Sequence, residues 1–421
     1  MTSSSPLDAN YTIMVDLADV TSPGEVDRGP LLKTTKMLNR YVLPIIIMFG
    51  IAGNTLSLLV FLRSKLKKHS TSVYLAALAI VDTGFLLCLF FIWLGWLGIT
   101  ISDTQPLCSL IVYFSYVCSL LSVWIVVCFT VERYIVVSRP LLRRQLLRKR
   151  HAKLVVIFLT LIALCLYVVL FWTTGIVFYP NAKKGIKVCS TFPKYEYIVW
   201  ILNHVDTVIT LIVPTLVIFI MNGLIGFKIY HSRSFQERRG FRSASWMRSR
   251  ENSVFDESDG LRVLVNSNIV NFVVHTAAPM RRNGSEHGPQ YYKTTKMLLV
   301  VSSVFLILNL PSHAIRIQIV VSQMFQSDYK PSMTTFGLQQ MAEFVYYVNF
   351  AINFCLYSLC GKNFRSELRA LLQTIASRLC FKKKRKLSPV HSEETNHYRM
   401  SNNHHRLSDA TCNVATTTSV L

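Results

Sequence analysis

The chain has 421 residues, of which 51% are hydrophobic and 16% charged, with a net charge of +23. A basic balance of that size raises nucleic acid as a partner, but its placement argues otherwise: it is concentrated beside long apolar runs. Positive mean hydropathy and runs near 20 residues point instead to segments that cross a hydrocarbon core of roughly 30 Å.

Residues 1–38 read as an extracellular tail with no signal-peptide apolar core, so the first span serves as its own insertion signal. Asn10-Tyr11-Thr12 is a glycosylation sequon in that tail. Seven apolar runs follow, at 41–62, 73–101, 108–131, 154–178, 198–227, 297–321 and 338–360. Backbone polar groups must be satisfied within lipid, so runs of this length are helices. Basic clusters follow the first run (Arg63, Lys65, Lys67, Lys68), the third (Arg139, Arg143, Arg144, Arg148) and the last (KKKRK, 382–386). By the positive-inside rule these lie in the cytoplasm and the amino terminus lies outside. Lys183, Lys184, Lys187 and Lys194, in the second outer loop, break the trend.

The expected fold is an all-α membrane protein: a seven-transmembrane helix bundle with a short amphipathic eighth helix. The bundle domain is 39–378. It contains a cytoplasmic loop, 228–296, whose Arg, Ser, Gly and Asn content reads as disordered. Inside the loop, 261–278 is apolar, but Arg262, three Asn and His275 make it a surface-lying segment rather than an eighth span. After the last run, Phe364, Leu368, Leu371, Leu372 and Ile375 fall on or near one helical face. Cys380 beside the polybasic run offers a palmitoylation site, giving two-signal anchoring. Residues 379–421 form a cytoplasmic tail, and Ser419 with Leu421 meet the pattern of a PDZ ligand.

Within the spans, Asp82 lies about ten residues into its helix, roughly 15 Å deep, where a carboxylate is a functional candidate. Asn54, Ser122, Asn349 and Asn353 sit at comparable depth on other helices. Together they make either an oxygen cage for a small cation such as Na⁺ or a polar network that satisfies the acid. No other cofactor is implied. Of the ten cysteines, Cys108 and Cys189 alone among those near the spans face an oxidising compartment, and a disulfide between them is expected.

These features converge on a family. "GN" at 53–54, "LAIVD" at 78–82, Cys108, "ERY" at 132–134, Pro214, "FLILNLP" at 305–311 and "NFCLY" at 353–357 occur in an order and spacing that resemble the rhodopsin-like G-protein-coupled receptors, over about 40–380. The resemblance implies a plasma-membrane receptor, not an enzyme, with a heterotrimeric G protein and arrestin as partners. It implies that Glu132 restrains Arg133 at rest and that Arg133, beside Tyr134, meets the G protein on activation. Four positions depart from the family pattern. No Trp stands near 160–161, Asn222 replaces a common Tyr, Asn309 replaces a Trp, and Phe354 replaces a Pro. Without that proline the seventh helix is expected to be straighter. "NLPSH" with "NFCLY" resembles invertebrate neuropeptide receptors of the FMRFamide and myosuppressin-like groups.

Ser115 stands where monoamine receptors carry an acid, and Tyr347 where opsins carry the retinal lysine, so neither ligand class fits. The upper bundle holds Tyr113, Tyr116, His204, Asp206, Asn309, His313, Arg316, Gln340, Glu343 and Tyr347. This aromatic, mixed-charge lining suits a short extracellular peptide, with Glu343 or Asp206 available to a ligand arginine. Arg316 paired to Glu343 or Asp206 as a structural ion pair is the alternative. A transporter or channel would show internal repeats or broken helices, and a seven-span enzyme would show ligands at metal spacing; neither pattern is present.

Overall fold

The computed structural model describes residues 30–99, 101, 104–139, 148–179, 186–231, 288–325 and 332–386. Asn10, the segment 261–278, Ser419 and Leu421 lie outside them. Among the described residues, six helices are each long and apolar enough to cross a membrane. A seventh qualifies jointly with the helix that follows it, from which it is bent by 100°. In chain order they are α1 (Lys33–Arg63), α2 (Ser70–Trp96), α3 (Leu107–Ser138), α4 (Lys149–Thr173), α5 (Pro193–His231), α6 (Gly288–Phe325), α7 (Met333–Cys360) and α8 (Lys362–Lys386). Between α4 and α5, β1 (Thr174–Tyr179) pairs antiparallel with β2 (Ile186–Thr191), placing Ile176 opposite Cys189. The chain forms two units, Met1–Leu371 and Leu372–Leu421; the bundle belongs to the first, and the second contributes the distal part of α8.

Apolar length alone misplaces several ends. The fourth run was expected to stay helical to 178, but the helix stops at Thr173, and the β-branched, alternating "TGIVFY" forms β1. At other ends helix continues past the apolar run because polar turns outside hydrocarbon cost nothing. Thus α5 is helical as far as His231 and α6 is helical from Gly288, so both ends of the expected loop 228–296 are helix. Helix also precedes α1, from Pro30, inside the expected tail.

Two of the spans widen just before a proline. Pro44 and Pro214 lack the N–H that an α-helix would return to the carbonyl four residues back. In each case the preceding turn is π, over Leu38–Val42 and Thr207–Ile212. In α5 the N–H of Val213 bonds Val208 O. With no N–H at 214, the carbonyl of Ile209 has no helical partner. The indole of Trp124 on α3 donates to it at 3.2 Å, which fastens α3 to α5 at the widened turn.

The core runs through α2, α3, α4 and α7, with Leu78, Ile125, Phe129 and Tyr167 at most 1% exposed. Outward-facing side chains are apolar as well: Phe158 and Phe219 are 64% and 70% exposed, as befits helices whose solvent is lipid. Close approach of α1 to α7 depends on Gly53, where a Cβ would lie 2.8 Å from the Cβ of Phe354. The residue that replaces the family's proline thus occupies the space over this glycine.

No break interrupts α7 over its 28 residues, in keeping with the missing proline. Its last carbonyls are satisfied by Arg365, whose Nη1 donates to Ser358 O at 2.9 Å and Leu359 O at 2.7 Å. Phe364 closes the corner against Phe61 and Tyr357, with ring centroids 5.5 and 5.7 Å away. Leu368 and Leu371 pack on the core, but Leu372 is 46% exposed and falls off the face assigned to it. One residue of helix turns a side chain by about 100°.

Candidate functional site

The residues singled out from sequence gather at three levels along α3, whose 32 residues span about 48 Å. At the hairpin end Cys108 is bonded to Cys189 of β2, with Cα atoms 5.6 Å apart. Ser109 adds a hydrogen bond to Thr174 O at 2.7 Å. Both strands are therefore pinned to α3.

Below the hairpin a cavity of about 200 Å³ opens between α3, α5, α6 and α7. Its charged lining is Asp206, Arg316 and Glu343, with His313 and the phenols of Tyr116, Tyr346 and Tyr347 around them. Asp206 accepts from Tyr167 of α4, and its other oxygen lies 3.7 Å from Nη1 of Arg316. Glu343 accepts from Gln339 at 3.1 Å. Tyr116 donates to Asn203 at 3.1 Å, and Ser119 shares a hydrogen bond with Tyr346 at 2.8 Å.

Six of the ten expected pocket residues line this cavity: Tyr116, Asp206, His313, Arg316, Glu343 and Tyr347. Four do not. Tyr113 turns to α4 and donates to Leu164 O at 3.0 Å. His204 packs against Trp200 with the rings tilted by 43° and bonds its carbonyl through Nδ1 at 2.8 Å. Asn309 folds back on its own helix, with Nδ2 2.6 Å from Phe305 O. Gln340 is buried, and its neighbour Gln339 lines the cavity instead. Sequence reasoning missed Gln339, Tyr346, Ser119, Val123, Ser312, Thr210 and Phe85. Their signal was periodicity: 339, 343, 346 and 347 form one stripe of α7, and 115, 116, 119 and 123 one stripe of α3.

One turn beyond Phe85 lies Asp82, fully buried. Its two oxygens accept from Ser122 at 2.8 Å and from Asn353 at 2.7 Å. Asn353 also reaches Asn349 O at 3.4 Å, and Asn54 donates to Phe350 O at 2.9 Å. The five residues are thus brought to one region joining α1, α2, α3 and α7. The buried Oδ1 of Asn54 has no hydrogen-bond partner. Oxygen donors with a single carboxylate, one of them unsatisfied, fit a hard cation of low charge. Asp82, Ser122 and the three asparagines would hold it, and it would supply the countercharge that a buried carboxylate requires.

At the far end of α3, Arg133 is 5% exposed and its Nη2 lies 2.6 Å from Oε1 of Glu132. The same guanidinium donates to Thr71 of α2. Ser70 donates to Glu132 at 2.9 Å. Start of α2 and end of α3 are thereby joined through one desolvated ion pair. Tyr134 sits under Lys228 of α5, 5.9 Å from ring centroid to Nζ. Nearby, Asn222 of α5 accepts from Ser302 of α6 at 2.9 Å and reaches Ser303 at 3.4 Å.

The model of the 7 transmembrane receptor (rhodopsin family) matches residues 53–357. Among curated proteins, the thyrotropin-releasing hormone receptor of Gallus gallus is 25% identical over 337 residues, 76% of this chain and 75% of that receptor. Growth hormone secretagogue receptor type 1 of Homo sapiens is 24% identical over 336 residues, 77% of each chain. C-X-C chemokine receptor type 1 of Oryctolagus cuniculus is 33% identical over 138 residues, 31% of this chain and 37% of that one.

Proposed function

The chain belongs to the rhodopsin family of seven-transmembrane receptors, and from that premise we propose that it binds a short extracellular peptide and promotes nucleotide exchange on a heterotrimeric G protein. Family membership removes the transporter and channel alternative. A peptide ligand is favoured by the charged, phenol-rich cavity and by relatives named for thyrotropin-releasing hormone, a growth hormone secretagogue and a C-X-C chemokine. The observation that carries the reading is α3 itself, a single helix that walls the cavity through Tyr116 and Ser119 and ends in the Glu132–Arg133 pair. Coupling requires an element with two arrangements that both sites bias. A rotation or shift of α3 and α6 at the cavity, and release of Arg133 at the other end, provide them.

The finer reading is that of a neuropeptide receptor like the invertebrate FMRFamide and myosuppressin-like group, on the strength of "NLPSH" and "NFCLY". In it the amino terminus is outside and carries a glycan on Asn10, Na⁺ at Asp82 favours the resting state, and arrestin and a PDZ scaffold bind the cytoplasmic face. The test is exchange on a panel of G proteins in membranes of cells expressing the full chain, with and without a synthetic peptide library. Activation by one peptide family, abolished in Arg133→Ala at equal surface expression, is the expected result. Exchange that no peptide alters would overturn the peptide assignment.

A further inference from the structure

Helix α8 runs for 25 residues, Lys362–Lys386, but among the described residues Leu371 is its last to pack on the core. The rest of it, from Leu372, belongs to the second unit. A helix of roughly 15 residues is marginal in water on its own. Charge adds to the difficulty: the segment has six basic residues, five of them consecutive at 382–386, and no acid. Like charges one turn apart destabilise a helix. The helical state of this segment therefore calls for a partner that supplies negative charge.

An anionic bilayer and an acidic protein both supply it, and the apolar positions separate the two. Leu372, Ile375 and Leu379 follow the spacing of one helical face. Phe381 does not belong to that face. At about 100° and 1.5 Å per residue, position 381 stands about 180° from position 372 and about 13 Å further along the axis. A bilayer surface takes one face of a helix, so with the first face buried position 381 would be left in water. A protein that closes round the helix takes both faces. Leu372 is 46% exposed, so the anchor at the near end is open to such a partner. Calcium-loaded, carboxylate-rich EF-hand proteins fit the description. Ca²⁺ opens a methionine-lined apolar groove in them that receives an amphipathic helix, and flexible methionines accommodate anchors of different shape.

We infer that Leu372–Lys386 is a docking helix for a two-lobed, Ca²⁺-loaded EF-hand protein, with one lobe on the face of Leu372, Ile375 and Leu379, the other on Phe381, and the basic run against its acidic rim. The inference needs α8 to lie in the cytoplasm, as the basic clusters imply, and is independent of what the cavity binds. It is tested on the full chain, purified in nanodiscs of neutral phosphatidylcholine and titrated with fluorescently labelled calmodulin in Ca²⁺ and in EGTA. One-to-one binding in Ca²⁺ and none in EGTA is expected. Leu372→Ala and Phe381→Ala should each weaken binding by about ten- to a hundredfold, as loss of one buried anchor does. Gln373→Ala, at a position between the two faces, should leave it within about twofold. Phosphatidylserine in the nanodisc should lower the affinity by competing for the basic run while the calcium dependence stays. Absence of binding in Ca²⁺, binding that persists in EGTA, or full affinity in either anchor variant would overturn the inference. Binding that phosphatidylserine abolishes would assign the segment to the bilayer and overturn it as well.

Discussion

Asn222 offers a measure of how firmly the resting arrangement is held. Where the family often has a tyrosine, this chain bridges α5 to α6 through the carboxamide of Asn222, at 2.9 Å from Ser302 and 3.4 Å from Ser303. Ser302 is 1% exposed, so water does not compete for it. If access of a G protein to Arg133 requires the cytoplasmic ends of α5 and α6 to part, the clasp must open. Side-chain hydrogen bonds between membrane helices average about 0.6 kcal/mol. With the longer bond counted as the weaker, the clasp contributes about 1 kcal/mol to the closed state, equivalent to a factor of about five in the resting-to-active ratio. Asn222→Ala should therefore raise ligand-independent nucleotide exchange about fivefold at matched surface expression. Ser302→Ala should raise it by less, because Ser303 remains, and the double variant should exceed Asn222→Ala by little, since both remove the same bond. Basal exchange unchanged or lowered in Asn222→Ala, with the variant correctly at the surface, would refute the clasp as a restraint on activation.

Other expectations follow from the same geometry. Replacing Asp82 by Asn should abolish the difference in thermal stability between the purified receptor in NaCl and in choline chloride; a difference that persists would remove Na⁺ from that site. Gly53→Ala should destabilise by about 1–3 kcal/mol through overpacking, because its Cβ would meet Phe354, and Phe354→Ala in the same chain should recover most of the loss in melting temperature. Loss of the Cys108–Cys189 bond, which closes a separation of 81 residues, should cost about 2–5 kcal/mol, and reducing agent should lower the melting temperature of the wild type but not of Cys108→Ala/Cys189→Ala. Cys380→Ser should eliminate label incorporation from a palmitate analogue in cells, and label retained in that variant would place the modification elsewhere.

The sequence made the bundle legible because lipid leaves few options. Runs of apolar residues must be helices, and their number fixes the architecture. What it hid were features that depend on side-chain direction. Gln340 and Gln339 differ by one position and about 100°, yet only Gln339 lines the cavity. Asn309 stands at the right depth, but its amide is consumed by Phe305 O of its own helix. Hairpin strand β1 read as membrane because composition cannot separate a buried helix from an apolar, β-branched strand. The ion pair and the Asp82 network were visible because charge within an apolar run is a strong signal whatever its orientation.

The departures from the family pattern also become intelligible as substitutions in contact rather than as isolated losses. Phe354, in place of proline, keeps α7 unbroken and packs where Gly53 leaves room, 6.1 Å from the ring of Phe364. A bulky residue there is tolerable only because residue 53 has no side chain. Fastening of α4 and α5 to α3 and to each other, without a tryptophan at 160–161, falls to Tyr113, Tyr116, Tyr167 and Trp124. Each donates to a different acceptor: Leu164 O, Asn203, Asp206 and Ile209 O. Two of those ties depend on the α5 segment around the π turn, and one of them holds an acid of the cavity. A ligand that displaces Asp206 therefore disturbs the α4–α5 junction directly, and through Trp124 at Ile209 it reaches α3 eight residues above Glu132.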